Sequence, residues 1–265
     1  MEMFSIASSS KGNSICVGTE DFHILIDAGI TFKRIQEGLS SYNLSSDDIS
    51  AVLVTHEHSD HISGLGVLSR KCSIPIYTTK GTWEGIIDYS SIGKMDESLY
   101  NEVRYDERFT IGPLTIDPFR ISHDANEPVG YVISCEGKKI AVVTDLGIYD
   151  EYIVDKLQNL NAILLEANYD YHMLQVGHYQ PWLKRRVHGD MGHLSNEMSG
   201  QLLCDIACDN LSYVLLGHMS QDNNYPELAY EAIRCEVKLS DVPYEPEDFE
   251  IICAPRCDVS KRIIV

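Results

Sequence analysis

The sequence predicts an α+β protein on three observations. Short apolar runs rich in β-branched residues recur along the chain, and several stop abruptly at a potential metal ligand. Segments with helical spacing are interleaved with them. Both halves share a β-rich-then-helical pattern with no linker or low-complexity run between, so residues 1–265 read as one domain. A chain of that length can bury a substantial core.

Met3 to Ala7 reads as a strand, followed by a polar loop from Ser8 to Asn13 and strands at Ser14 to Gly18 and His23 to Asp27. Gly12-Asn13 is a tight-turn signal. Ile30 to Leu39 has helical spacing. Ala51 to Thr55 is the pattern of a buried strand, and Ile62 to Lys71 of a helix. Ile74 to Tyr77 is another strand, and Gly81 to Tyr89 a helix in which Trp83 is a packing residue. Leu114 to Ile121 reads as a strand. Val129 to Cys135 and Lys139 to Thr144 read as a hairpin turned at Glu136-Gly137.

A helix (Glu151 to Leu160) and a strand (Ala162 to Leu165) come next. Tyr171 to Val187 is helical but contains Pro181, which breaks or kinks it near Gln180. A helix from about Ser195 to Cys208 takes Ser195 or Asn196 as its cap. The chain then gives a strand (Leu211 to Leu216) and a long helix (Pro226 to Leu239) with proline at its start. An acidic connection, Asp241 to Asp248, leads to a closing strand, Phe249 to Cys253.

Composition narrows the class. The apolar fraction, 44%, is ordinary for a globular protein, and no run approaches bilayer-spanning length. Met1-Glu-Met-Phe-Ser-Ile lacks the basic start and apolar stretch of a secretory signal, so a cytoplasmic location without a membrane partner is expected. The eight cysteines mostly sit in apolar stretches, as reduced core thiols do. Cys204/Cys208 and Cys253/Cys257 suggest a separate zinc, but the spacing is not that of a standard finger and free thiols are favoured. Lys plus Arg is 21 against 40 Asp plus Glu, a formal charge of −19. That balance disfavours a nonspecific grip on long polyanions and favours a compact site, unless basic residues cluster near it.

The chain is organised around Ala51-Val-Leu-Val-Thr-His56-Glu-His58-Ser-Asp60-His61. In an extended continuation side chains alternate, so His56 and His58 point the same way. Asp60 and His61 follow at the start of a helix, where the change of direction can bring them to a second ion. A lone histidine is usually a surface or satisfied core residue. Three histidines and an aspartate crowded at a buried strand end need a cation, and this donor set suits Zn, Mn or Fe. His-x-His-x-Asp-His also resembles the metallo-β-lactamase-fold hydrolases, which implies a four-layer αββα sandwich with a two-metal site along its edge.

Three further ligands stand at strand ends. His123 joins His56 and His58 on one ion, and His218 joins Asp60 and His61 on the other. Asp145 bridges them, because ions about 3.5–4 Å apart need a shared anion. A water acidified by two divalent cations is then the nucleophile.

A closer resemblance, running nearly end to end, is to the YycJ/WalJ-type subgroup. It is carried by Thr55 to Lys80, by Ser122-His123-Asp124-Ala-x-Glu127-Pro-x-Gly130-Tyr131 and by Glu166-Ala-Asn168-Tyr-Asp170. Gly192-His193-Leu-Ser-Asn196 and His218-Met-Ser-x-Asp-Asn-Asn224 add to it. Members are similar to RNase Z and to cyclic phosphodiesterases, and the subgroup is associated with 5′→3′ exonuclease action on DNA. The first loop of the subgroup reads Ser-Gly-Ser-Ser-Gly-Asn; here Ser8-Ser-Ser-Lys11-Gly12-Asn13 places a lysine by the site.

The resemblance implies that His193 is the general acid, with Glu166 orienting it and raising its pKa. Asp60, His193 and Glu166 are thus the candidate catalytic residues. Lys11, Asn13, Ser195, Asn196 and the basic run Lys184-Arg185-Arg186 are candidate substrate contacts. The leading expectation is a two-metal phosphodiesterase, a DNA exonuclease. The alternative is a small-molecule hydrolase of the same fold, acting on a cyclic phosphodiester, thioester or lactone. A non-catalytic protein is disfavoured because no expected ligand is missing.

Overall fold

A computed structural model describes residues 1–265. Fourteen strands form two seven-stranded sheets. The first sheet lays side by side β1 (Glu2–Ser9), β2 (Gly12–Gly18), β3 (His23–Ile26), β4 (Ile49–Leu53), β5 (Ile76–Thr78) and β6 (Tyr100–Glu102). The second lays out β7 (Phe109–Ile111), β8 (Leu114–Arg120), β9 (Val129–Cys135), β10 (Lys138–Val143), β11 (Ala162–Glu166), β12 (Tyr213–Gly217) and β13 (Glu250–Cys253). The last strand, β14 (Ile263–Ile264), returns to pair with β1.

Each sheet is antiparallel where it begins, at β1–β3 and β7–β10, and parallel afterwards, at β3–β6 and β10–β13. Most of the parallel crossovers carry helices, which cover the outer faces. The first sheet carries α1 (Phe32–Ser40), α2 (Ser59–Ile62), α3 (Leu65–Cys72) and α4 (Lys80–Asp88). The second carries α5 (Glu151–Lys156), α6 (Tyr171–Val176), α7 (Pro181–His188), α8 (Asn196–Ile206) and α9 (Pro226–Leu239).

The core is in three slabs. Alternate strand residues such as Met3, Ile24, Ile26, Val142 and Leu164 meet between the sheets. Their neighbours Phe4, Leu25 and Val52 pack outward on α1 and α3, and Val143 and Leu165 pack outward on α8 and α9. Strands buried on both faces explain the unbroken apolar runs, and the layering is the expected αββα sandwich. No helix is long and apolar enough to cross a membrane.

Several elements differ from expectation. The polar loop is a hairpin: Ser9 pairs with Gly12, leaving Ser10 and Lys11 as the turn. The helix expected over Ile62–Lys71 is two pieces, α2 and α3, parted at Gly64, where a Cβ would lie 1.9 Å from the Ile30 carbonyl oxygen. The helix after Glu151 stops at Lys156. β6, β7 and β14 are two or three residues long, too short for periodicity to reveal. Pro181 does interrupt the helical region, as the first residue of α7.

Candidate metal centre

The parallel strands bring their carboxyl ends to one edge, and the candidate ligands gather there. Asp27 follows β3, His56 to His61 follow β4, Asp145 follows β10 and His218 follows β12; Glu166 ends β11. Asp27, Asp145 and His218 adopt left-handed backbone, with φ of 61°, 59° and 52°. A non-glycine residue in that region costs about 1–2 kcal/mol, so three at one edge mark a place where geometry outweighs local preference. Gly29 makes the close approach possible. A Cβ there would stand 1.6 Å from the Asp60 carbonyl oxygen and 2.8 Å from the His61 nitrogen. Gly29→Ala is therefore expected to destabilise the protein by about 1–3 kcal/mol and to lower its metal content, read by thermal melts and elemental analysis.

Two donor sets share Asp145. His56, His58 and His123 form one, with His58 Nδ1 3.3 Å from His123 Nε2. Asp60, His61 and His218 form the other. In it Asp60 Oδ2 lies 3.4 Å from His61 Nε2 and 3.5 Å from His218 Nε2. Asp145 Oδ2 is 3.1 Å from His61 Nε2, while its Oδ1 is 3.5 Å from His218 Nε2 and 3.6 Å from His123 Nε2. Donors around a tetrahedral ion with bonds near 2.0–2.1 Å are about 3.4 Å apart, so these separations are those of ligands sharing a metal. His56 Nε2, His218 Nε2 and Asp145 Oδ2 are buried and take part in no hydrogen bond. Buried polar atoms are seldom left so, and a cation satisfies all three. The residues fit a pair of divalent ions.

The other ring nitrogens are held from behind. Thr55 bonds to Asp27 through its backbone N–H (2.8 Å) and its hydroxyl (2.8 Å), and the hydroxyl also lies 3.0 Å from His56 Nδ1. His61 Nδ1 donates to Asp27 Oδ2 at 2.7 Å. His218 Nδ1 donates to Glu166 Oε1 at 2.8 Å, and Asn168 Nδ2 donates to the His218 carbonyl at 2.8 Å. His123 Nδ1 faces the Gly192 carbonyl at 3.1 Å and His58 Nε2 the Asp124 carbonyl at 3.2 Å. Such partners fix the tautomer and raise ligand basicity. Asp27→Asn keeps the left-handed turn while removing the charge behind His61. It is expected to weaken metal affinity by about 10–100-fold, measured by competition with a chelating dye.

The charges divide the site. Burial and the neighbouring His61 hold His56 well below its ordinary value. Burial also lowers His123, with His193 and His58 adding to it. These imidazoles are neutral and ready to donate. On the other side burial opposes the charged ring of His218, but Asp145, Asp60 and Glu166 carry it up to about 10. Burial likewise opposes a charged His61, which Asp145, Asp27 and Asp60 raise well above its ordinary value. Asp145 is raised by burial, yet His218, His61 and His56 outweigh that and hold it low.

A cation entering the Asp60/His61/His218 set must displace protons, whereas His56 and His123 in the other set carry none to displace. Since His218 is protonated below about 10, affinity of the second set is expected to rise with pH across the neutral range. Calorimetric titration in buffers of different ionisation enthalpy would show the released protons, and a pH-independent second affinity would contradict the arrangement.

The family model of the beta-lactamase superfamily domain matches residues 23–219. An exodeoxyribonuclease YycJ of Bacillus anthracis is 37% identical over 84% of this chain and 84% of its own length. An exodeoxyribonuclease WalJ of Streptococcus pneumoniae is 36% identical over 85% of this chain and 84% of its own. The chain belongs to the metallo-β-lactamase superfamily. Within that superfamily it is a metal-dependent hydrolase. In fold it is also similar to a Zn(2+)-bound PqqB from Methylobacterium extorquens, with a TM-score of 0.72 at 17% identity over the whole of both chains.

Against this superfamily fold the expected site residues sort by position. His56, His58, Asp60, His61, His123, Asp145 and His218 come together. His193 stands beside them, its Nδ1 2.8 Å from Glu166 Oε1 and 3.6 Å from Asp145 Oδ1. The expected substrate contacts mostly do not face the centre. Asn13 is buried; its amide nitrogen donates to the Ser9 carbonyl (3.0 Å) and sits 3.4 Å from Asp60 Oδ2, so it steadies ligands instead. Ser195 is buried and accepts from the Met198 N–H at 3.2 Å, capping α8. Asn196 is buried, its amide paired with Asn224 at 3.0 Å. Lys11 is exposed at the hairpin turn, and its side chain bonds to none of the cluster.

Of the basic run, Lys184 Nζ donates to the Gln175 carbonyl at 2.6 Å. Arg186 grips Asp124 at 2.5 and 3.1 Å. Arg185 is exposed. All eight cysteines are free thiols, and none belongs to a group able to hold a metal. Asp27, Asp124 and Asn168 had no assigned role from sequence. The signal that singled out Asp145, a carboxylate ending an apolar strand, was equally present at Asp27.

Proposed function

We propose that this chain is a two-metal phosphodiesterase acting as a 5′→3′ exonuclease on DNA. The observation that carries the reading is His193. It is partly exposed, its side chain 18% accessible, beside a buried donor set, and its Nδ1 is hydrogen-bonded to the Glu166 carboxylate at 2.8 Å; the other partly exposed ring, His58, has its nearest carboxylate oxygen 3.8 Å away. The two ions, when bound, supply Lewis acidity toward a phosphoryl oxygen and acidify an attacking water.

The chain's own residues do the rest. Asp27 and Glu166 fix the rings of His61 and His218, and Asp145 faces both donor sets. Glu166 is fully buried, and its Oε2 accepts the Leu146 N–H at 2.9 Å, so it cannot swing away. His193 Nδ1–H donates to Glu166 Oε1, which leaves Nε2 to hold the proton. That proton passes to the departing sugar oxygen as the P–O bond breaks. The relatives in Bacillus anthracis and Streptococcus pneumoniae carry exodeoxyribonuclease names, which supports DNA as the substrate. A site built from strands of both sheets supports reading residues 1–265 as one domain.

The net charge of −19 favours the second reading, a hydrolase of a small phosphodiester, thioester or lactone. The test is a panel for the metal-loaded protein: bis-p-nitrophenyl phosphate, a thioester and 5′-labelled duplex DNA. Release of labelled mononucleotide supports the exonuclease. Thioester turnover alone overturns the phosphodiesterase reading.

A further inference from the structure

The segment Tyr171–His188 differs from the rest of the molecule. In a chain of net charge −19 it contains no Asp or Glu, and it holds Lys184, Arg185, Arg186 and three of the ten histidines, His172, His178 and His188. It folds as the helices α6 and α7, seated on Tyr169 through Leu174 and Val187, with Tyr179 and Leu183 packed beside them. That seat buries one side of the pair. Away from that seat Trp182, 61% accessible, Tyr171 and Val176 are exposed.

The segment also leads to the metal centre. Trp182, Arg185 and Arg186 stand at i, i+3 and i+4, hence on one face of α7. Arg186 ends that row by gripping Asp124, whose Oδ1 is 3.5 Å from His123 Nε2. Trp182 lies four residues back, about 6 Å along the helix axis. Lys184 and Arg186 are already engaged, which leaves Arg185 as the cation of the run open to a ligand. An exposed indole beside an unengaged guanidinium, one turn from a hydrolytic centre, is the combination that holds a single nucleic-acid strand: a flat face for a base and a cation for the next phosphate. The segment itself contributes no carboxylate; of those that touch it, Asp124 is paired with Arg186 and Asp222 accepts from the Tyr179 hydroxyl at 3.1 Å, so repulsion toward a polyanion is lower here than over the rest of the surface.

We propose that α7 is the docking surface for a single DNA strand, with Trp182 stacking a base and Arg185 contacting the adjacent phosphate. The proposal rests on the exonuclease reading and deepens it. The substrate end reaches the centre unpaired, threaded along this face, and specificity for sequence is weak because every base has a stacking face.

The two tryptophans make the test direct. Trp83 is nearly buried (8% accessible) and stacks on Tyr100, so a strand added in solution perturbs the emission of Trp182. Titrating the metal-loaded protein with a phosphorothioate oligothymidylate is expected to quench that emission. Trp182→Ala is expected to weaken oligothymidylate binding about tenfold, and Trp182→Phe much less. Arg185→Ala is expected to lower the slope of log affinity against log salt by about 0.7, the value of one phosphate on a single strand. Turnover of bis-p-nitrophenyl phosphate, which has no run of nucleotides to lie along α7, stays within about twofold of the parent in Trp182→Ala.

Unchanged oligothymidylate affinity and KM in Trp182→Ala overturn the docking surface while leaving the nuclease intact. An equal loss toward bis-p-nitrophenyl phosphate also overturns it, because the damage is then to the centre. Emission that responds to vesicles of anionic phospholipid but not to oligothymidylate overturns it in favour of a membrane surface. If the parent hydrolyses bis-p-nitrophenyl phosphate but cuts no DNA, the failure is of the exonuclease reading itself.

Discussion

For the proposed exonuclease, replacing His193 by alanine is expected to lower kcat on DNA by about 10²–10⁴-fold, the usual contribution of a general acid, with metal content equal to that of the parent. The sets His56/His58/His123 and Asp60/His61/His218 do not include His193; it does group with Asp145, Glu166 and His218, but its Nδ1 is already spent on Glu166. The loss should depend on the leaving group. A deoxyribose oxygen needs a proton to depart, whereas p-nitrophenolate departs without one, so hydrolysis of bis-p-nitrophenyl phosphate should fall far less. Elemental analysis gives the control: a variant that loses metal as well as activity would make His193 a ligand, and the acid would have to be sought elsewhere.

Asp145→Asn should have the larger effect on the centre. Asparagine tolerates the left-handed backbone at this position (φ 59°) and nearly matches aspartate in shape, so the substitution removes charge with little strain. What it removes faces both donor sets, at 3.1 Å from His61 Nε2 and 3.6 Å from His123 Nε2. Two cations held close together lose their shared anion, so at least one ion should be lost. Activity should then fall by on the order of 10³-fold or more in kcat/KM, about 4 kcal/mol of transition-state stabilisation. Circular dichroism should show the fold retained. A variant that keeps two ions and parent activity would remove Asp145 from the bridging position.

Much of the site could be read before any coordinates. His56, His58, Asp60 and His61 lie within six residues, and such crowding has few explanations other than a cation. His123, Asp145 and His218 could be read because each ends an apolar run, and parallel strands deliver their ends to one edge. Three of the expected substrate contacts could not. Asn13 was expected to meet substrate because its loop resembles the first loop of the subgroup, and Ser195 and Asn196 because they share a motif with His193. In the fold each is buried, and its polar atoms bond to the protein. Proximity in sequence says which loop a residue is on. Which way its side chain turns is decided by the neighbours that need its hydrogen bonds.

The sequence alone pointed to the class of the protein, the strands that end at the site and the seven candidate donors that the fold brings together. Those follow from local pattern: hydrophobic period, turn residues and ligand chemistry are written in consecutive positions. Only the tertiary structure decided the second layer and the approach to the centre. Asp27 behind His61, Glu166 shared between His193 and His218, and the α7 face running from Trp182 to Arg186 and Asp124 all join residues far apart in the chain. Such pairings depend on how two sheets pack and where three left-handed turns point, and no local pattern specifies either.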